Sequence, residues 1–127
     1  MGRGKSAGIE TRRGFVSWNG NSGISALSLA YHLGARKVVL LGFDMHTEDD
    51  GKSNYHDQHI KMDLHKAYNK KEVYTRYLKK LPEVKTDAKR IGMTIINATP
   101  GSSIEEFPIM TLEEALNGSL LSEQKAE

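Results

Sequence analysis

One continuous stretch, Asn19 to Asp44, constrains the fold of this chain more than any other. It begins Asn19-Gly20-Asn21-Ser22-Gly23, continues as an apolar block from Ile24 to Leu33, breaks at Gly34 and ends Val38-Val39-Leu40-Leu41-Gly42-Phe43-Asp44. Asn21 and Ser22 are helix-capping residue types, and the glycines beside them allow a sharp turn. The apolar block is interrupted only by Ser25, Ser28 and His32, which predicts a helix over 23–33, buried on most sides. Gly34 suits the left-handed residue that closes a helix. The unbroken run at 38–41 predicts a strand at about 36–43, covered on both faces. Turn, helix, turn, strand and terminal acid form the grammar of α/β proteins, whose ligands sit where strands end and helices begin.

The rest of the chain extends this pattern. Gly14-Phe15-Val16-Ser17-Trp18 predicts a short strand feeding the turn. Thr47 to Asp63 reads as a polar loop, long enough for a compact domain to suggest a functional role. Asp63 can cap a helix running to about Leu81, with Val73, Tyr74, Tyr77, Leu78 and Leu81 on its apolar stripe. Pro82 is expected to end or kink it. Val84, Ala88 and Ile91 then form another helical face, closed by Gly92. Met93-Thr94-Ile95-Ile96-Asn97 predicts a second buried strand, with a turn-rich exit from Ala98 to Ser103. Thr111-Leu112-Glu113-Glu114 is a capping box opening a last short helix.

The 127 residues fit one domain, 1–127, with residues 1–13 as a flexible arm and 122–127 as a frayed tail. Gly2-Arg3-Gly4-Lys5-Ser6 imitates the end of a phosphate-binding loop, but it lacks the preceding strand and earlier glycine of that motif. A net charge of +2 is too small to argue for nucleic acid. The chain has no cysteine, hence no disulfide or thiol chemistry, and no apolar run near the ~20 residues of a membrane span. These features agree with a cytoplasmic setting. The expected architecture is α/β, with two or three mostly parallel strands and helices on both faces. So few strands suggest half of a larger nucleotide-binding fold, or one completed by self-association.

Three loops, 19–23, 44–63 and 97–103, leave the carboxyl ends of the expected strands and should converge on one crevice. Amides near Ser22 and Gly23 can hold a phosphate, or Asn21 and Ser22 can simply cap the helix. Asp44 can bind a ribose hydroxyl, a metal or an amine. His46, His56, His59 and His65 lie among Asp44, Asp49, Asp50, Asp57 and Asp63. Histidine suits proton transfer near neutral pH, so one of them is expected to act as a general base. The cluster could also bind a divalent metal, but spacings such as His56-x-x-His59 match no diagnostic motif, so a general base is favoured over a metal site.

In series, Asn21-Ser22-Gly23, Leu33-Gly34, Val38 to Asp44, Tyr55 with the histidines, and Asn97-Ala98-Thr99-Pro100-Gly101-Ser102 resemble part of a known superfamily. It includes the bacterial lipooligosaccharide sialyltransferases and the related flagellin-accessory and pterin-pyrophosphokinase-like proteins. The resemblance is to their C-terminal half, covers roughly residues 19 to 116, and is nearest to proteins encoded by tailed phages and prophages. It implies a small three-layer Rossmann-like domain and a nucleotide-sugar donor, CMP-linked, used without a metal or other cofactor. By position, Ser22 and Gly23 would lie near the nucleotide, with Asn21 and Asn97 on the flanking loops. Gly42 and Asp44 would meet its base or ribose. His46 replaces a phosphate-binding tyrosine of those relatives, and Tyr55 matches a second one. His65 is the positional match to their general base, with His59 the alternative. Relatives complete the site with an N-terminal half. The resemblance therefore implies either a nucleotide-sugar-binding domain that is incomplete alone, or a non-catalytic phage assembly protein that keeps the fold.

Overall fold

The computed structural model describes residues 1–46 and 70–117. The expectations for Thr47 to Asp63, for a helix start at Asp63 and for the tail at 122–127 lie outside those residues. In chain order the elements are β1 (Gly2–Arg3), β2 (Phe15–Val16), α1 (Ser22–His32), β3 (Lys37–Leu40), α2 (Lys70–Ile91) and β4 (Thr94–Asn97). A further helical turn covers residues 112–117. The strands form two parallel pairs, β1 with β2 and β3 with β4. The architecture is therefore α/β with short parallel strands.

Local causes of α1 match the sequence closely. Asn21 is the N-cap, with extended backbone, and its Oδ1 accepts from the amides of Gly23 (2.8 Å) and Ile24 (3.3 Å). At the other end Ala35 N donates to Ala30 O, Gly34 N donates to Tyr31 O, and Gly34 takes φ 97°. This is a Schellman closure. The same closure ends α2, where Met93 N donates to Ala88 O, Gly92 N donates to Lys89 O, and Gly92 takes φ 72°. Both closures turn the chain directly into a strand, and Thr94 N donating to Arg36 O starts those strands side by side. The register then pairs Val38 with Ile95 and Leu40 with Asn97.

Strand alternation divides the packing. One cluster joins Leu40 and Ile95 to Ile24 and Leu27 of α1, to Leu81, Val84 and Ala88 of α2, and to Ile104 and Phe107. A smaller cluster joins Ile96 and Ala98 to Ala115 of the 112–117 turn, with Val39 and Met110 packed on it. That turn opens with the expected capping box, in which Thr111 N donates to Glu114 Oε2 and Glu114 N to Thr111 Oγ1.

Four expectations are corrected. Residues 1–13 are not an arm lying free. Ile9 is fully buried, Gly2 N and Gly4 N donate to Gly14 O and Val16 O, and Trp18 N donates to Lys5 O. Of the two outcomes expected at Pro82, an end is excluded, because α2 continues through it. Leu81 and Val84, on either side of it, have no exposure, and burying two such side chains at about 1.5–3 kcal/mol each offsets the ~3 kcal/mol cost of an interior proline. Helix α1 is buried along one face only, at Ile24, Leu27 and Ser28, while Leu29 and Leu33 are 41% and 80% exposed. Leu41 falls beyond β3 and is exposed, because a two-stranded sheet cannot cover a strand and its exit on every side.

Candidate functional site

Three of the predicted loops meet where they are described. The stretch after β3 is sewn onto the stretch after β4. Ala98 N donates to Leu40 O, Phe43 N to Thr99 Oγ1 (3.0 Å), Ser103 N to Asp44 O (2.9 Å) and Ser102 Oγ to Phe43 O. The N-terminus of α1 joins them through Asn21, whose Nδ2 reaches Met45 Sδ at 3.8 Å, and through Gly23, which lies against Phe43. Residues 19–23, 43–46 and 97–103 thus share the carboxyl edge of the β3–β4 pair, and Ser22 and Asp44 are both exposed there.

The predicted site residues divide by what they already do. Asn21 is a working cap, so the amides of Gly23 and Ile24 already have an acceptor. A Cβ on Gly23 would lie 2.9 Å from the Phe43 ring, so its missing side chain serves helix-to-loop packing. Gly42 takes φ 74°, a left-handed turn that delivers Asp44 to the rim. His46 Nε2 lies 2.9 Å from Gly101 O. A carbonyl only accepts, so Nε2 carries the proton in that bond. Asn97 is fully buried. Its Oδ1 accepts from Thr99 N, its backbone N donates to Pro108 O, and its backbone O accepts from Met110 N. Asn97, expected on a loop flanking the nucleotide, braces residues 98–110 from within. Tyr55, His59 and His65, with His56 and the aspartates between them, lie outside the described residues. Among the described residues no group of three potential metal ligands occurs, and no helix is long and apolar enough to cross a membrane.

The N-terminal segment adds groups that the sequence reading passed over. Ser28, on the buried face of α1, accepts at Oγ from Glu10 N (2.9 Å) and Ser17 N (3.2 Å), and lies 2.7 Å from Ser17 Oγ. Asn19 accepts from Gly8 N and donates to Gly8 O and Ser17 Oγ. The loop resembling a phosphate-binding segment surrounds a carboxylate of the protein itself. Asp87 Oδ2 accepts from Ile9 N (2.9 Å) and pairs with Lys5 Nζ (3.2 Å), while Oδ1 pairs with Arg90. Burial pushes the Asp87 carboxyl up, but the Ile9 amide, Lys5 and Arg90 together hold it below the ordinary aspartate range. The Arg12 guanidinium, bonded to the Glu10 carboxylate, likewise holds Glu10 low against its burial.

Arg3 and Trp18 were also missed. The Arg3 guanidinium lies over the Trp18 ring at 4.2 Å, beside the start of α1. One signal was available in the sequence: Trp18, the single tryptophan, immediately precedes the Asn19–Gly23 turn. Set against protein-family models, curated proteins and solved structures, the chain matches none of them.

Proposed function

We propose that this chain is a nucleotide-sugar-binding, glycosyltransferase-like domain, a small three-layer Rossmann-like unit whose ligand lies at the carboxyl edge of its parallel strands. The observation that carries this reading is the convergence of 19–23, 43–46 and 97–103, held by bonds such as Ser103 N to Asp44 O and Phe43 N to Thr99 Oγ1. Ligands of parallel α/β sheets bind at such edges. Asp44, at the rim, would take a ribose hydroxyl. By the resemblance, His46, bonded through Nε2 to Gly101 O, and Tyr55 would contribute to phosphate binding. His65, or His59, would remove the acceptor's proton as the glycosidic bond to the phosphate breaks. The CMP linkage rests on the sialyltransferase resemblance.

The test is an amide-resolved NMR titration with CMP, UDP and a CMP-sugar at millimolar concentration. The reading expects shifts at Ser22, Asp44 and Thr99, larger for CMP than UDP. Absence of any shift at those three positions with all three ligands ends it.

A second reading, a non-catalytic assembly protein, is favoured by the exposed outer face of α1 at Leu29 and Leu33. It expects self-association in sedimentation runs and normal stability after His59→Ala and His65→Ala. A strict monomer that turns over a nucleotide sugar excludes it.

A further inference from the structure

A groove of about 360 Å³ opens at the α1 N-terminus. Its lining includes Arg3, Trp18, Gly20, Asn21, Ser22 and Ser25. Ligand pockets run from roughly 300 to 1,000 Å³, so this one is sized for a single small ligand. Strands β1 and β2 run parallel, and both carry their carboxyl ends to it, at Arg3 and at Val16 to Trp18. Among the described residues of the lining, Arg3 carries the charged side chain and no carboxylate accompanies it. Lys80 Nζ adds a second cation 5.7 Å from the Trp18 ring. The Trp18 backbone is fixed in turn, because Ser25 Oγ donates to its carbonyl and its amide donates to Lys5 O.

We propose that this groove binds the phosphate of a nucleoside monophosphate unit, with Arg3 as its charged partner and Trp18 as the positioning residue behind Arg3. The inference rests on the nucleotide reading above and adds a cationic partner for the phosphate in it. A guanidinium forks onto phosphate oxygens through paired N–H donors, and stacking on an indole holds that fork before the ligand arrives. Ser22 lines the groove next to Gly23, which packs against Phe43 of the Asp44 loop.

Because Trp18 is the chain's single tryptophan, its fluorescence reports on this groove alone. CMP should change that emission saturably, inorganic phosphate should do so more weakly, and cytidine least. Arg3→Ala should weaken CMP at least tenfold, and Arg3→Lys by less. Arg12→Ala, which removes the same charge from outside the groove, should leave CMP affinity unchanged. Circular dichroism checks that each variant is folded. Trp18→Phe, followed by calorimetry, should weaken CMP while keeping part of the dependence on Arg3. Equal CMP affinity in Arg3→Ala and the parent protein overturns the proposal. If CMP shifts the Asp44 and Thr99 amides while Arg3 and the Trp18 indole stay unmoved, the groove proposal falls and the nucleotide reading stands. If CMP shifts nothing, both fall.

Discussion

Ser28 is a small polar residue on the buried face of a mostly apolar helix, and its hydroxyl anchors the N-terminal segment. Two backbone amides, from Glu10 and Ser17, converge on that one oxygen. Ser28→Ala would leave both donors buried without it, at a cost of ~1–3 kcal/mol for an unmet group. We expect a loss of about 2 kcal/mol or more in urea unfolding, against less than about 1 kcal/mol for a surface change such as Ala26→Ser. Asp87 and Glu10 belong to the same scale. Both carboxyls are held below their unfolded values, so the stability they provide is present above the unfolded range of about pH 4. It is lost as pH falls through the lower, folded values. The urea midpoint should therefore drop between pH 5 and pH 3, and Asp87→Asn should be less stable at pH 7 with a flatter acid limb. An unchanged acid limb in Asp87→Asn would assign the effect to other groups.

At the scale of elements, α2 shows how a stripe outlasts a local breaker. Val73, Tyr77, Leu81, Val84, Ala88 and Ile91 recur at steps of four and three residues through Pro82, so one face stays in phase. Pro82 has no N–H for the Leu78 carbonyl, and its own position is exposed. Pro82→Ala should therefore stabilise the protein by about 1–3 kcal/mol, seen as a higher thermal midpoint. A lower midpoint would mean that the ring itself packs usefully. The paired Schellman closures give a complementary case. A Cβ on Gly34 or Gly92 would meet no atom within 4 Å, yet both residues hold left-handed φ. Gly34→Ala and Gly92→Ala should each cost about 1 kcal/mol through backbone strain alone, with no change in the core as judged by methyl NMR.

For the whole molecule, the N-terminal segment forms part of the packed body. Ile9 joins the main cluster, Asp87 and Asn19 grip the loop around it, and Lys80 Nζ donates to Ser6 O. Deleting residues 1–9 should reduce cooperativity and open α1 and α2 to proteases. Clean two-state unfolding at the parent midpoint would return the segment to the free arm its composition suggests.

Legibility followed the range of the forces involved. The cap at Asn21, the helix–glycine–strand closures and the Thr111 capping box depend on neighbours within about five residues, so a short window of sequence specified them. The meeting of 19–23 and 97–103 with the described start of the 44–63 loop was also legible, because parallel strands bring their carboxyl ends to one edge. The fate of residues 1–13 was not. It hangs on Asp87, 78 residues from Ile9 in the chain, and on one serine of α1. Nor could a local pattern reveal that Asn97 would brace its own loop or that Leu33 would remain outside. The sequence alone determined the capped starts of α1 and the 112–117 turn and the glycine closures of α1 and α2, since those signals lie in adjacent residues. Only the tertiary structure decided which polar groups were used internally and which stayed at a surface, because that depends on partners brought together from distant parts of the chain.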